Sequence, residues 1–230
     1  MVQPTVTLID YGAGNIRSVQ KAFEHVGTAV QLTADPEAVR RADKLVLPGV
    51  GAFGASMAGL QARGLPAAVQ AAVQCGVPFL GICVGMQLMF TQGLEMGTHA
   101  GLDLMAGTVR RFPEEWLMVN GKRSTVNSPA PIRNPKSQIP HLKVPHMGWN
   151  QLEPAWGSPL LAGIRPGDYA YFVHSYYCDA ADPTVVLAWT DYGLPFPAIV
   201  ARDNLFGLQF HPEKSQQVGL RILRNFVDMH

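Results

Sequence analysis

Residues 64–94 read GLPAAVQAAVQCGVPFLGICVGMQLMFTQGL, without a single Asp or Lys and with no Glu or Arg before position 95. Such a charge-free run is long enough to cross a membrane, but Gln70, Gln74, Gly76, Pro78, Gly81 and Gly85 punctuate it. It parses instead as a helix from Leu65 to Gln74, a tight turn, a buried strand over Phe79–Ile82 and a second helix behind Cys83. Upstream the alternation recurs. Val6–Ile9 reads as a strand, Tyr11-Gly-Ala-Gly-Asn15 as a loop, and Ile16, Val19, Phe23 and Val26 then recur at helical spacing. Val30–Thr33 is the next strand, and Asp35-Pro36 starts a helix with Asp as N-cap and Pro at its first position. Lys44–Leu47 is a third strand, followed by the glycine-rich turn Pro48-Gly-Val-Gly-Ala-Phe-Gly54 and a helical segment through Leu60. Short β runs alternating with amphipathic helices predict an α/β protein with a doubly wound, mainly parallel sheet flanked by helices, whose ligands sit at the carboxyl ends of the strands.

The second half changes character. Thr108–Phe112, Tyr169–Tyr177, Thr184–Thr190, Ala198–Arg202 and Leu205–Phe210 are β-rich and come in succession, which predicts an antiparallel β elaboration. A final helix from near Ser215 places Val218, Ile222 and Phe226 on one face, with Leu223 and Val227 beside them. The polar stretch 114–141, with Pro129, Pro131, Pro135 and Pro140 and scattered Lys122, Arg123, Arg133 and Lys136, reads as a surface insertion. With no repeat in view, residues 1–230 are expected to form one domain.

Composition excludes several classes. With 47% hydrophobic and 15% charged residues the chain is too apolar to be disordered. A formal net charge of +1 supplies no broad basic field for a nucleic-acid backbone. The N-terminus has no cationic stretch ahead of its apolar residues, and three cysteines cannot all pair, so a reducing, cytoplasmic setting is expected.

The sharpest chemical signal is Gly81-Ile-Cys83-Val-Gly85, a strand running into Gly-x-Cys-x-Gly and then a helix. This is the cysteine form of the nucleophile elbow. Glycines two residues to either side permit a strained turn that lifts the thiol above the sheet edge, and the helix start behind it favours thiolate. Cys75 and Cys178 lack that setting and read as buried structural residues. A thiol nucleophile needs a base, and the base an orienter. His211-Pro-Glu213 offers both, since positions two apart on an extended chain point the same way. Triads are recognised by geometry, so the order Cys, His, Glu is permissible. His25, His99 and His230 suggest no carboxylate partner. His141, His146 and His174 remain alternatives, but no metal-ligand spacing and no Cys-x-x-Cys accompanies them, so no metal or cofactor is expected. The N–H of Val84 and the Gly49-Val50-Gly51 turn can form an oxyanion hole. Gly12-Ala-Gly14-Asn15 is only half of a dinucleotide fingerprint.

Pro48-Gly-Val-Gly, Gly81-Ile-Cys-Val-Gly-Met-Gln and His211-Pro-Glu together resemble the three signatures of the class I, triad-type glutamine amidotransferases. Asp10-Tyr-Gly-Ala-Gly-Asn-Ile-Arg-Ser-Val19, Pro145-His-Met-Gly-Trp-Asn150, Tyr171-Phe-Val-His-Ser-Tyr-Tyr177 and His211-Pro-Glu-Lys-Ser-Gln216 narrow the resemblance to the glutaminase subunits of imidazole glycerol phosphate synthases. It spans nearly the whole chain, in order. Val84 stands where the family pattern has leucine, and 114–141 looks like an insertion.

The resemblance implies hydrolysis of L-glutamine to glutamate and ammonia, with Cys83 as nucleophile, His211 as acid and base, and Glu213 orienting His211. It implies an oxyanion hole at Val50, Gly51 and Val84, and substrate contacts from Gly51, Gln87, Glu95, Tyr171, Val173 and Ser175. It also implies a (β/α)₈-barrel cyclase partner that consumes the ammonia in histidine biosynthesis, docked near Asn15, Ser18, Trp149 in a Gly-Trp-Asn turn, and Lys214. Two alternatives share these residues: a glutaminase of another pathway, such as pyridoxal phosphate synthesis, and a catalytically silent scaffold subunit.

Overall fold

The computed structural model describes residues 4–12, 14–113 and 143–229. The expected insertion at 114–141 lies outside the described residues. The strands of the first half form as their sequences predict: β1 Val6–Ile9, β2 Val30–Thr33, β3 Lys44–Gly49 and β4 Phe79–Cys83. All four residues of β1, all six of β3 and all five of β4 are buried, as central parallel strands covered on both faces must be. Helices α1 Ile16–His25, α2 Pro36–Arg40, α3 Phe53–Gln61 and α4 Leu65–Gln74 connect them. At α2 the Glu37 N–H donates to Asp35 Oδ1 at 3.0 Å, the N-cap bond that the Asp-Pro pair announces. Cys75, at the C-cap of α4, is exposed rather than buried, because the apolar face of that helix ends with Ala72.

The second half joins the same sheet. Strands β12 Val186–Asp191, β13 Pro195–Arg202 and β14 Leu205–Leu208 extend it antiparallel to one another, and the short β9 Glu153–Pro154 forms the far edge. The strand order is β2-β1-β3-β4-β14-β13-β12-β9. One strand belongs to both halves: β14 is antiparallel to β13 but parallel to β4, with Leu208 opposite Ile82. The chain leaving β14 therefore emerges beside the chain leaving β4, and both come out at the carboxyl edge where such sheets hold ligands.

Three local readings change. The helix behind Cys83, α5 Val84–Leu88, stops after five residues, and Phe90–Gly93 becomes strand β5. This strand pairs with β6 His99–Ala100 and with β7 Met105–Arg111. Gly93 and Gly101 permit that pairing, since a Cβ on the first would enter the Phe53 ring and a Cβ on the second the Phe90 carbonyl. The segment expected as one strand over Tyr169–Tyr177 divides at Ser175 into β10 Tyr169–His174 and β11 Tyr176–Ala180, which pair in different sheets. Gly148-Trp149-Asn150 is not a turn but part of β8 His146–Gln151, antiparallel to β10 with His146 opposite His174 and Trp149 opposite Tyr171.

Helix α6 Gln216–Asp228 buries Ile222, Leu223, Phe226 and Val227 against the core, as its periodicity predicts. Gly219 sits so close to the Pro212 carbonyl that no Cβ fits between them, which seats α6 directly on the 3₁₀ turn Pro212–Lys214. Among the described residues, no helix is long and apolar enough to cross a membrane.

Candidate active site

Cys83 ends β4 with φ 54° and ψ −112°, a conformation that non-glycine residues rarely adopt. The flanking glycines make it possible. A Cβ at Gly81 would come within 2.6 Å of the Gly85 carbonyl, and one at Gly85 would overlap the Leu47 carbonyl of β3. Gly49 shares the constraint, its Cα facing Gly85 N and the Tyr11 hydroxyl. The α5 dipole behind the thiol is that of a five-residue helix, shorter than the sequence suggests, so hydrogen-bonding groups carry more of the local electrostatics.

His211 follows β14 and is buried, its N–H donating to the Tyr171 carbonyl at 2.9 Å. Ser215 fixes the turn: its hydroxyl donates to the His211 carbonyl at 2.7 Å and accepts from the Tyr171 N–H at 3.0 Å. This holds Glu213, whose side chain is 1% exposed, with Oε1 2.8 Å from His211 Nδ1. Cys83 is the other group close enough to act on the ring. Burial pushes the imidazole pKa down, but the bonds to Cys83 and Glu213 and the charges of both outweigh it, leaving His211 pushed up to about 10. The side-chain amide of Asn15 donates to Glu213 Oε1 at 2.6 Å, across a sequence separation of 198. Glu213 Oε2 is buried with no hydrogen-bond partner among the described residues.

Above Cys83 opens a cavity of about 380 Å³, lined by Val50, Gly51, Cys83, Val84, Gln87, Glu95, Pro145, Val173, His174, Ser175, Tyr176 and His211. Its volume suits a small ligand. Gly51 has φ +103° and open space around its Cα, as a turn that approaches a ligand needs. Glu95 is anchored by the N–H of Phe53, at the start of α3, 2.6 Å from Oε2. A carboxylate and a ring of backbone groups in one small cavity can hold a zwitterion.

The structure thus brings Val50, Gly51, Cys83, Val84, Gln87, Glu95, Val173, Ser175 and His211 together. Tyr171 stands apart from the cavity walls, on the outer face of the β8–β10 ribbon, against Trp149 at 5.9 Å between rings and beneath Lys214 Nζ at 5.7 Å. It shares a strand face with Val173, which does line the cavity, but stands two residues further back along β10. Trp149 is 47% exposed, and Ser18 in α1 and Lys214 in the 3₁₀ turn before α6 are exposed. Asn15, expected at a partner surface, has its amide committed to Glu213.

The sequence reading missed a buried network beside the cavity. His146 and His174 are paired on β8 and β10, with His146 Nδ1 3.1 Å from His174 Nε2. The Tyr176 carbonyl accepts from His174 Nδ1 at 2.8 Å, so His174 Nε2 is left to accept from His146 Nδ1, and His146 Nε2 accepts from the Asn150 amide at 3.2 Å. Every ring nitrogen is satisfied with both histidines neutral. Burial pushes His146 down to about 4, and burial with the charges of His146 and His211 pushes His174 down to about 3. No sequence motif joins two histidines 28 residues apart; only the strand register does.

Comparison with known proteins places this geometry. The family model for class-I glutamine amidotransferases matches residues 7–229, and the chain belongs to that family. Solved structures share its fold at low identity: one described as a glutamine amidotransferase aligns over 97% of both chains with TM-score 0.67 and 17% identity. The Thermotoga maritima PurLQS structure aligns over 98% of this chain and 97% of that one, with TM-score 0.68 and 16% identity. Closer relatives specify the branch. The imidazole glycerol phosphate synthase subunit HisH of Syntrophotalea carbinolica is 50% identical over 97% of this chain and all of its own. The HisH subunit of Salinibacter ruber is 48% identical over 96% of this chain and 93% of its own. Within the family the chain is a glutamine amidotransferase of the HisH type, the type that serves imidazole glycerol phosphate synthesis in histidine biosynthesis.

Proposed function

We propose that one domain spanning the chain hydrolyses L-glutamine through Cys83, His211 and Glu213 and delivers the ammonia to a (β/α)₈-barrel cyclase subunit. The observation that carries this reading is a buried imidazole held by Glu213 at 2.8 Å that shares with Cys83 the wall of a cavity sized for one small molecule. Because His211 is held protonated, Cys83 faces an imidazolium and attacks the glutamine amide carbon without first waiting for a base. The negative charge that develops on the amide oxygen falls between the Val84 N–H and the Val50–Gly51 turn. His211 gives its proton to the leaving nitrogen as the C–N bond breaks, and ammonia departs, leaving a thioester on Cys83. His211, now neutral, takes a proton from water as it attacks the thioester, and glutamate leaves as the thiolate–imidazolium pair is restored. Glu213 keeps the ring oriented throughout. Glu95 suits the substrate ammonium, and Gly51, Gln87, Val173 and Ser175 line the remainder of the cavity. Tyr171 serves better on the Trp149–Lys214 face, where exposed aromatic and cationic groups suit a docking partner; Ser18 borders that face, and Asn15 links it to the triad. All three cysteines are free, which suits the reducing cytoplasm.

The reading is tested by assaying glutamate release for the wild-type chain and Cys83→Ala, each alone and with the cyclase barrel and its ribonucleotide ligand. Turnover is expected with the wild-type chain and barrel and to be lost in Cys83→Ala. Glutamate release that survives Cys83→Ala, or that never appears with the barrel present, overturns it.

A further inference from the structure

Gln209 follows β14, two residues before His211, and is completely buried. Its amide has a fixed orientation that can be derived one bond at a time. The Tyr176 carbonyl can only accept, so the Gln87 atom 3.0 Å from it is the amide nitrogen Nε2. That nitrogen has one further hydrogen, directed at Gln209 3.2 Å away, so the atom there is the acceptor Oε1. Gln209 Nε2 is then turned the other way, where it donates to Cys83 Sγ at 4.0 Å, within the longer reach of a sulphur acceptor. Two buried glutamines are therefore keyed by one main-chain carbonyl, and the key ends on the nucleophile. A buried amide nitrogen is poorly satisfied by a thiol, which is a weak acceptor, and well satisfied by a thiolate.

We propose that Gln209 is a further catalytic residue, donating a hydrogen bond to the Cys83 thiolate, and that Gln87 is its positioning residue. With both Nε2 hydrogens of Gln87 committed, Gln87 presents only Oε1 to the cavity and meets the substrate as an acceptor. His174, which donates to the same Tyr176 carbonyl at 2.8 Å, braces the key from the β10 side. The inference rests on Cys83 being the nucleophile.

The test reads the thiolate directly, independently of glutamine turnover. In a Cys75→Ser background, which removes the exposed thiol and leaves Cys178 buried, the rate of Cys83 alkylation by iodoacetamide is followed against pH. The titratable groups facing Cys83 are His211, Tyr11 and Cys178, with Glu95 across the cavity and His174 beside His211; all stay in place. Gln209→Met is expected to slow alkylation at neutral pH by about tenfold and move the profile to higher pH, and Gln87→Met to shift it the same way by less. A Gln209→Met profile that superimposes on the parent overturns the proposal. Should Gln209→Met fail to fold by circular dichroism, the side-chain amide resonances of Gln209 in the parent chain decide: they must shift with the same midpoint as alkylation and lose that shift in Cys83→Ala, and pH-independent resonances overturn the proposal. Glutamine turnover persisting in Cys83→Ala would instead remove the nucleophile reading, leaving the alkylation result standing as a fact about the thiol.

Discussion

His211 and the His146–His174 pair are both imidazole sites buried in one fold, and they are driven to different charge states, one protonated and the other neutral. Burial pushes every one of these rings down. At His146 and His174 the neighbours are another imidazole, an amide and a main-chain carbonyl, which complete a neutral chain of hydrogen bonds; the Tyr176 carbonyl raises His174, but by less than burial lowers it. At His211 the neighbours are a carboxylate 2.8 Å away and the Cys83 sulphur, and they reverse the sign. Depth of burial is shared; the chemistry of the first contact decides which histidine can shuttle a proton and which serves as a strut.

The difference is broken most severely by taking the carboxylate away. Glu213→Gln leaves His211 buried with Cys83 as its remaining pKa-raising neighbour, so its pKa should drop. Steady-state glutamine hydrolysis with the cyclase present is expected to fall by about 10⁴-fold. Retention of a tenth of the activity would show that the carboxylate does not set the state of the ring.

A smaller loss is expected from Asn15→Ala, which leaves His211 as the remaining donor to Glu213 Oε1. The rate should fall about tenfold, as losing one hydrogen bond to a charged group implies, while sedimentation shows assembly with the cyclase intact. Lost assembly with an unchanged rate would return Asn15 to a purely interfacial role.

Stability against pH sharpens the contrast, because the two sites act at opposite ends. The folded pKa of His211 is raised from 6.5 to about 10, so its stabilisation is fully present below 6.5 and is lost as pH rises through about 10. The folded values of His146 and His174 are lowered to about 4 and about 3. Their contribution is therefore intact above 6.5 and is lost progressively as pH falls from 6.5 toward 3, where the unfolded chain binds protons that the native pair refuses. Urea unfolding across the pH range should show both limbs. His174→Asn should flatten the acid limb and leave the alkaline limb alone.

Much of this was legible in the sequence. Gly81 and Gly85 around Cys83 announce the elbow because only glycine fits where a Cβ would strike the Leu47 or Gly85 carbonyl, and the two-residue spacing of His211 and Glu213 announces their contact. The alternation of the first half yields β1 to β4 and their helices for the same reason: fully buried strands and amphipathic helices leave strong periodic signals. What stayed hidden depends on register across long separations. Gln209 meets Gln87 and Cys83 because β14 lies parallel to β4, although its own segment reads as one more antiparallel strand. Asn15 meets Glu213 because the turns after β1 and β14 converge on the same sheet edge. Strand β8 carries a glycine with φ +136° between Met147 and Trp149, and so reads locally as a turn.

The most direct test of the different charge states is an ¹⁵N imidazole NMR titration of the whole chain. His211 is expected to remain protonated until pH approaches about 10, while His146 and His174 remain neutral until pH falls to about 4 and about 3. His211 titrating at or below 6.5, together with the buried pair, would contradict that expectation.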